Sequence, residues 1–311
     1  MENLILSINV VLPLFLTMSL GYVLKKLGLF DTHTLNKMNN VCFKSFLPLL
    51  FFNIYNTDLD GSLNFKLMAV AVIIIFSIFL ILVFIIPKIE KDNKTRGALI
   101  QGVFRSNFVI FGIPVTISLF GDKSIGVTSL LIAVIVPMFN VLSVVILEIF
   151  RGGKVNIKHM IKSVLTNPLI IASFIGLTML ILNINIPTFL HKTIGDISKI
   201  ATPLSLIILG GSFSFSAIKG HIKPIILGVC GKLILVPAIF LPISIFLGFR
   251  NVELASLMIM LSAPTAVSSF TMAQQMDSDS ELAGQIVVFT SGFSIITVFL
   301  IIFILKQNNL I

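Results

Sequence analysis

The sequence predicts an all-α polytopic membrane protein, with ten transmembrane helices arranged as two inverted five-helix repeats and helices 4 and 9 broken as crossover helices. Three observations predict it. The 311 residues are 56% hydrophobic and 11% charged, with a mean hydropathy of +1.08, whereas a soluble domain carries about 25% charged residues. Apolar runs near the ~20 residues that cross a bilayer follow one another along the whole chain. Similar proline-bearing stretches also recur in its two halves, in the same order.

The first run, 4 to 24, opens in MENLILSINVVLPLFL, which has neither a basic leader nor a small-residue cleavage site and so reads as a retained span. Runs at 36 to 55, 65 to 87, 98 to 120 and 125 to 149 complete a first set of five. The basic stretch RGGKVNIKHMIK then leads to 163 to 183, 195 to 215, 222 to 248, 252 to 275 and 282 to 305. Loops after the first, third, fifth and seventh spans hold Lys25, Lys26, Lys88, Lys91, Lys94, Arg96, Arg151, Lys154, Lys158, Lys162, Lys219 and Lys223. The other side holds Lys66, Lys123, Lys192, Arg250 and Lys306. Twelve against five puts the odd loops in the cytoplasm and both termini outside a cell membrane crossed many times. The net charge of +9 therefore reports topology in a lipid bilayer, not a nucleic-acid partner. Cys42 and Cys230 read as small hydrophobes, and the four histidines are too scattered for a metal site. No cofactor or metal is expected.

FGIPVTISLF at 111 to 120 and LSAPTAVSSF at 261 to 270 share a proline, a serine four residues on and a final phenylalanine. Pro48 in FLPLLFF and Pro203 in ATPLSLI form a second pair, and the separations are alike: 66 residues from Pro48 to Pro114, 61 from Pro203 to Pro264. Five spans per repeat force the second copy to face the other way, an architecture whose ligand sites lie at the midplane between discontinuous helices. Pro114 and Pro264 are expected to break spans four and nine, each fitting the first turn of a second half-helix. The exposed N–H groups and positive dipole ends would favour an anion. Gly112 would permit unwinding, and Ser262 and Thr265 would satisfy backbone groups or a ligand oxygen. The competing readings are a packing kink at each proline and hydroxyls bonded to the preceding turn.

Arg105 lies nine residues before Pro114, about 13 Å along a helix, and either meets an anion in the cytoplasmic vestibule or snorkels to headgroups. Lys232 and Lys44 read as snorkelling. No Asp or Glu falls near the middle of a span, which disfavours a cation antiporter and favours an anionic substrate. Asn53, Asn107, Asn140, Ser212, Thr290 and Ser291 are uncharged polar groups that line a path or glue helices together. No nucleophile, metal cluster or carboxylate pair suggests an enzyme.

FRSNFVIFGIPVTISLFG at 104 to 121 resembles the fourth-span signature of the auxin efflux carrier family. LSAPTAVSSFTMAQQ with ELAGQIVVFTSGFSIIT resembles its ninth and tenth spans; NPLIIASFIGL at 167 to 177 and TPLSLIILGGSF at 202 to 213 resemble its sixth and seventh. The family includes plant auxin exporters and bacterial malate and malonate permeases. The resemblance implies a fold similar to bile-acid sodium symporters, with a scaffold from 1–60 and 163–218, a transport core from 61–150 and 219–311, and a short cytoplasmic connector at 151–162. It further implies an elevator-type carrier of a small organic anion, a mono- or dicarboxylate, homodimeric through its scaffold, with a proton or sodium as possible coupling ion. Asn107 is then the candidate for the substrate carboxylate, although its distance from Pro114 departs from the tight Asn-Pro-Asn pattern of the plant carriers. Arg105, Ser106, Asn140, Thr290 and Ser291 would support the site. A sodium-coupled symporter of bile-acid type and an anion channel are the alternatives.

Overall fold

A computed structural model describes residues 2–56, 64–121, 125–152, 157–215 and 218–311. The boundary at 60–61, Lys123, and residues 153–156 of the connector with Lys154 lie outside the described residues. Among the described residues every regular element is a helix and there is no strand.

The chain begins with α1 (Glu2–Lys26), followed by α2 (Thr32–Val41), a π-helical turn at Cys42–Phe46, and α3 (Leu47–Phe52). Then come α4 (Phe65–Ile89), α5 (Asn93–Phe104), α6 (Phe108–Phe120) and α7 (Ile125–Ile149). The second half holds α8 (Ile157–Thr166), α9 (Pro168–Ile181), α10 (Thr188–Ser212), α11 (Ile218–Cys230), a second π turn at Gly231–Leu235, and α12 (Val236–Phe246). Last are α13 (Asn251–Ser262), α14 (Ser268–Gln275) and α15 (Ser280–Gln307). Five helical stretches among the described residues (65–89, 125–149, 188–212, 220–246 and 280–307) are long and apolar enough to cross a membrane. A sixth is reached if α8 and α9, bent by 56°, count as one.

Local sequence explains where many of these helices start. Asp31, Asn64, Asp92, Asn167 and Asp279 each stand just before a helix and accept a hydrogen bond from an amide of its first turn, the pairing that makes Asp and Asn good N-caps. The two π turns have one cause. Each ends two residues before a proline, Pro48 or Pro237, whose ring would clash with the carbonyl four residues back in a regular helix. The widened turn moves that carbonyl away, with Leu47 N–H bonding to Cys42 O and Val236 N–H to Gly231 O. Pro203, the expected counterpart of Pro48, sits inside an unbroken α10.

Of the five long apolar stretches, α7 is the most buried, at 78%, and α4 the least, at 33%. α1 and α10 approach so closely that only glycine fits between them: a Cβ on Gly21 would lie 2.0 Å from Ile207 O, and one on Gly210 would lie 1.9 Å from Met18 O. Small residues permit this kind of backbone approach where lipid offers no hydrophobic driving force.

One expectation is corrected outright. Pro114 does not break its segment; it lies inside α6, and the break falls at Arg105–Asn107, seven or more residues earlier. The Thr116 hydroxyl donates back to Gly112 O at 2.9 Å and Ile113 O at 3.2 Å, within the turn that holds the proline. Pro264 does lie in a break, between α13 and α14, but four residues before α14 begins, so neither proline occupies a first helical turn.

Candidate functional site

The two breaks meet. Ser106 and Thr265 form an isolated antiparallel bridge, and Asn107 N–H donates to Pro264 O at 2.8 Å. Side chains complete the crossing: Ser106 Oγ donates to Ala263 O (3.3 Å), Thr265 Oγ1 to Gly102 O (2.6 Å), and Thr265 N–H to Thr290 Oγ1 (3.1 Å). Several backbone groups freed by each break are thus satisfied by the other or by Thr290 of α15, which is how non-helical backbone survives inside a membrane protein.

Two helix N-termini converge there. The first amides of α6, from Phe108 onward, have no carbonyl one turn back, and the Asn107 side chain caps none of them. α14 likewise starts without a side-chain cap, after Val267. Both half-helices therefore turn a positive dipole end towards the crossing.

Between them lies Arg105, only 2% exposed. Its Nη2 donates to Asn140 Oδ1 and to Ser268 Oγ, both at 2.8 Å, and its Nη1 to Ser143 Oγ at 3.3 Å and to Met272 Sδ. Asn140 is held in turn by its Nδ2 donating to Ser173 Oγ at 3.0 Å. Every partner is neutral, and among the described residues Arg105 forms no ion pair. Of the two sequence readings, snorkelling is excluded, and the guanidinium sits at the crossing itself rather than in a vestibule remote from the break. Lys232 is also corrected: it is 1% exposed within the second π turn, whereas Lys44 is exposed as expected.

Arg105, Ser106, Asn107 and Ser268 line a cavity of about 40 Å³, room for about two or three waters. Asn107, 6% exposed, has an Nδ2 with no hydrogen-bond partner. A neighbouring cavity of about 300 Å³ shares the walls Leu50, Phe51, Val109 and Val136; it adds Ile54, Ile113, Ile125 and Ile132, with Asn53 and Ser129 as its polar lining. Among the described residues, no acidic side chain lines either space. A larger groove of about 490 Å³ between α12 and α15 offers, among the described residues, only Thr297 as a polar side chain.

Of the residues singled out in the sequence, Arg105, Ser106 and Asn107 share the cavity, and Asn140 holds Arg105 from α7. Pro264, Thr265 and Thr290 lock the crossing. Ser262 donates to Met258 O at 2.6 Å within its own helix, Gly112 and Pro114 lie in the body of α6, and Ser291 is buried on α15; none of these four lines the cavity. Ser268, Ser143 and Met272 join the site unanticipated, as do Thr202 and Ser205 of α10. Ser268, Met272, Thr202 and Ser205 all stood in stretches that drew attention without being named as contacts, whereas nothing local in the sequence marks Ser143.

Comparison with known proteins bears on the whole chain. A family model described as membrane transport protein matches residues 6–302. An uncharacterized transporter of Methanocaldococcus jannaschii is 22% identical over 94% of this chain and 97% of its own length. An uncharacterized transporter of Methanothermobacter thermautotrophicus is 25% identical over 94% of this chain and 96% of its own.

Proposed function

The chain belongs to the membrane transport protein family, the auxin efflux carrier family that its motifs resemble, and from that premise we propose that it is a secondary transporter of a small organic anion. One observation carries the anion: a buried arginine with only neutral partners, beside two uncapped half-helix N-termini. A buried charge without a counter-charge is penalised by several kcal/mol, and a bound carboxylate would relieve that penalty with charge-assisted, bidentate hydrogen bonds. The unpartnered Asn107 amide would add a donor.

The surroundings favour a monocarboxylate over a dicarboxylate. Among the described residues, Arg105 is the one cationic side chain lining the two neighbouring cavities, and the larger is walled mostly by aliphatic groups suited to an apolar body. The antiparallel crossing of two broken segments supports the finer architecture: ten spans in two inverted repeats. In that reading α1–α3 and α8–α10 form a scaffold that dimerises, and α4–α7 with α11–α15 move as an elevator, both termini facing outward. The family and its relatives, all transporters, point away from an enzyme.

Uptake into proteoliposomes tests this. The expected result is saturable entry of a monocarboxylate, exceeding that of dicarboxylates of similar size and lost in Arg105→Gln. Flux that stays linear with concentration would indicate a channel, and no carboxylate flux through folded protein would overturn the reading.

A further inference from the structure

Gln285, near the start of α15, is 1% exposed, and neither its Oε1 nor its Nε2 has a hydrogen-bond partner. A buried polar group without partners is destabilising. The side chain lines a small cavity of about 10 Å³ with Leu209, Ser212, Ser280 and Glu281, about the smallest space that admits one water-sized particle.

Helix ends shape the electrostatics there. At the end of α10, Phe213 N–H donates to Gly210 O rather than to Leu209 O, so the Leu209 carbonyl lacks its usual donor. The last carbonyls of a helix form its negative pole, which favours a cation. The opposing positive pole of α15 is already offset, because Asp279 accepts from Leu282 N–H at 2.9 Å. The helices are close as well as complementary: a Cβ on Gly284 would meet Leu209 Cδ1 at 2.8 Å.

We propose that this cavity binds a small monovalent cation of sodium's size, with Gln285 Oε1, the Ser212 and Ser280 hydroxyls and the α10 carbonyls as candidate ligands. Glu281 supplies the balancing charge. An oxygen set suits a hard cation, and a single carboxylate matches a single positive charge. The binding is separate from the crossover cavity, but its meaning as a coupling site rests on the transport reading above, which sets α10 and α15 in relative motion.

The test uses the purified full chain in detergent, free of organic anions, with choline exchanged for sodium or potassium at constant ionic strength. Sodium is expected to raise the thermal midpoint in proportion to the logarithm of its concentration once above its dissociation constant, and potassium to do so less. Gln285→Met should lose that response while its midpoint in choline is unchanged or higher, since the variant removes an unpartnered amide. Ser212→Ala should weaken the response. A parent midpoint no higher in sodium than in choline, or raised equally in potassium and in Gln285→Met, would overturn the proposal and leave the cavity a water site only. Because carboxylate binding at Arg105 is measured separately in choline, either site can fail without the other.

Discussion

At the scale of single residues, the account turns on Arg105 being a charge held by neutral groups. A lysine would keep the charge but not the planar fork that reaches Asn140, Ser268 and Ser143 at once. Arg105→Lys is therefore expected to weaken carboxylate binding by about 10- to 150-fold, the loss of one charge-assisted bond at about 1.5–3 kcal/mol; titration calorimetry would read it. Ser262→Ala is the contrasting variant. Its hydroxyl already serves Met258 O, so affinity should stay within about twofold of the parent, the scale of a neutral bond made within the helix. A large loss there would mean that Ser262 turns towards the ligand in another conformation. The FRSN stretch was legible as important from its residue types, since an arginine inside an apolar run is expensive in lipid. Of its partners Asn140 alone was named as support for the site; the pairing itself was not legible, because Asn140, held by Ser173, and Ser268 reach Arg105 only through the tertiary fold.

At the scale of elements, apolar runs located the helices well. Ile125–Ile149 has the bounds its composition suggested, and Phe65–Ile89 begins where expected. The break in the fourth run was misplaced because proline was weighed as the local signal. The chain instead opens at Arg105–Asn107, where Ser106 and Asn107 exchange helical bonds for bonds to Ala263 and Pro264. That choice depends on a segment more than 150 residues away, which no local pattern reports. Pro114→Ala should accordingly keep α6 intact, with a thermal midpoint equal to or above that of the parent. Gly210→Leu should do the opposite: its side chain would strike Met18 O and separate α1 from α10, whereas Gly195→Ala meets nothing within 4 Å and should be silent. Monodispersity on size exclusion and thermal unfolding would show the difference; a well-folded Gly210→Leu protein would refute the close packing of these helices.

At the scale of the whole molecule, the pieces form a bundle whose polar groups concentrate where two broken segments cross, with a predominantly apolar space of about 300 Å³ beside the smaller polar one. In the proposed carrier the apolar space takes the body of the substrate and the crossing takes its charge, and movement of α4–α7 and α11–α15 past the remaining helices would carry both across. The most direct measurement is a thermal-unfolding titration in choline of the parent and of Arg105→Gln with a graded series of monocarboxylates and dicarboxylates, since a ligand that binds only the folded state raises its apparent stability. The account predicts stabilisation of the parent by monocarboxylates with apolar bodies, weaker stabilisation by dicarboxylates, and none in a folded Arg105→Gln variant. Equal stabilisation of both proteins would contradict it, because the carboxylate would then be held somewhere other than the crossing.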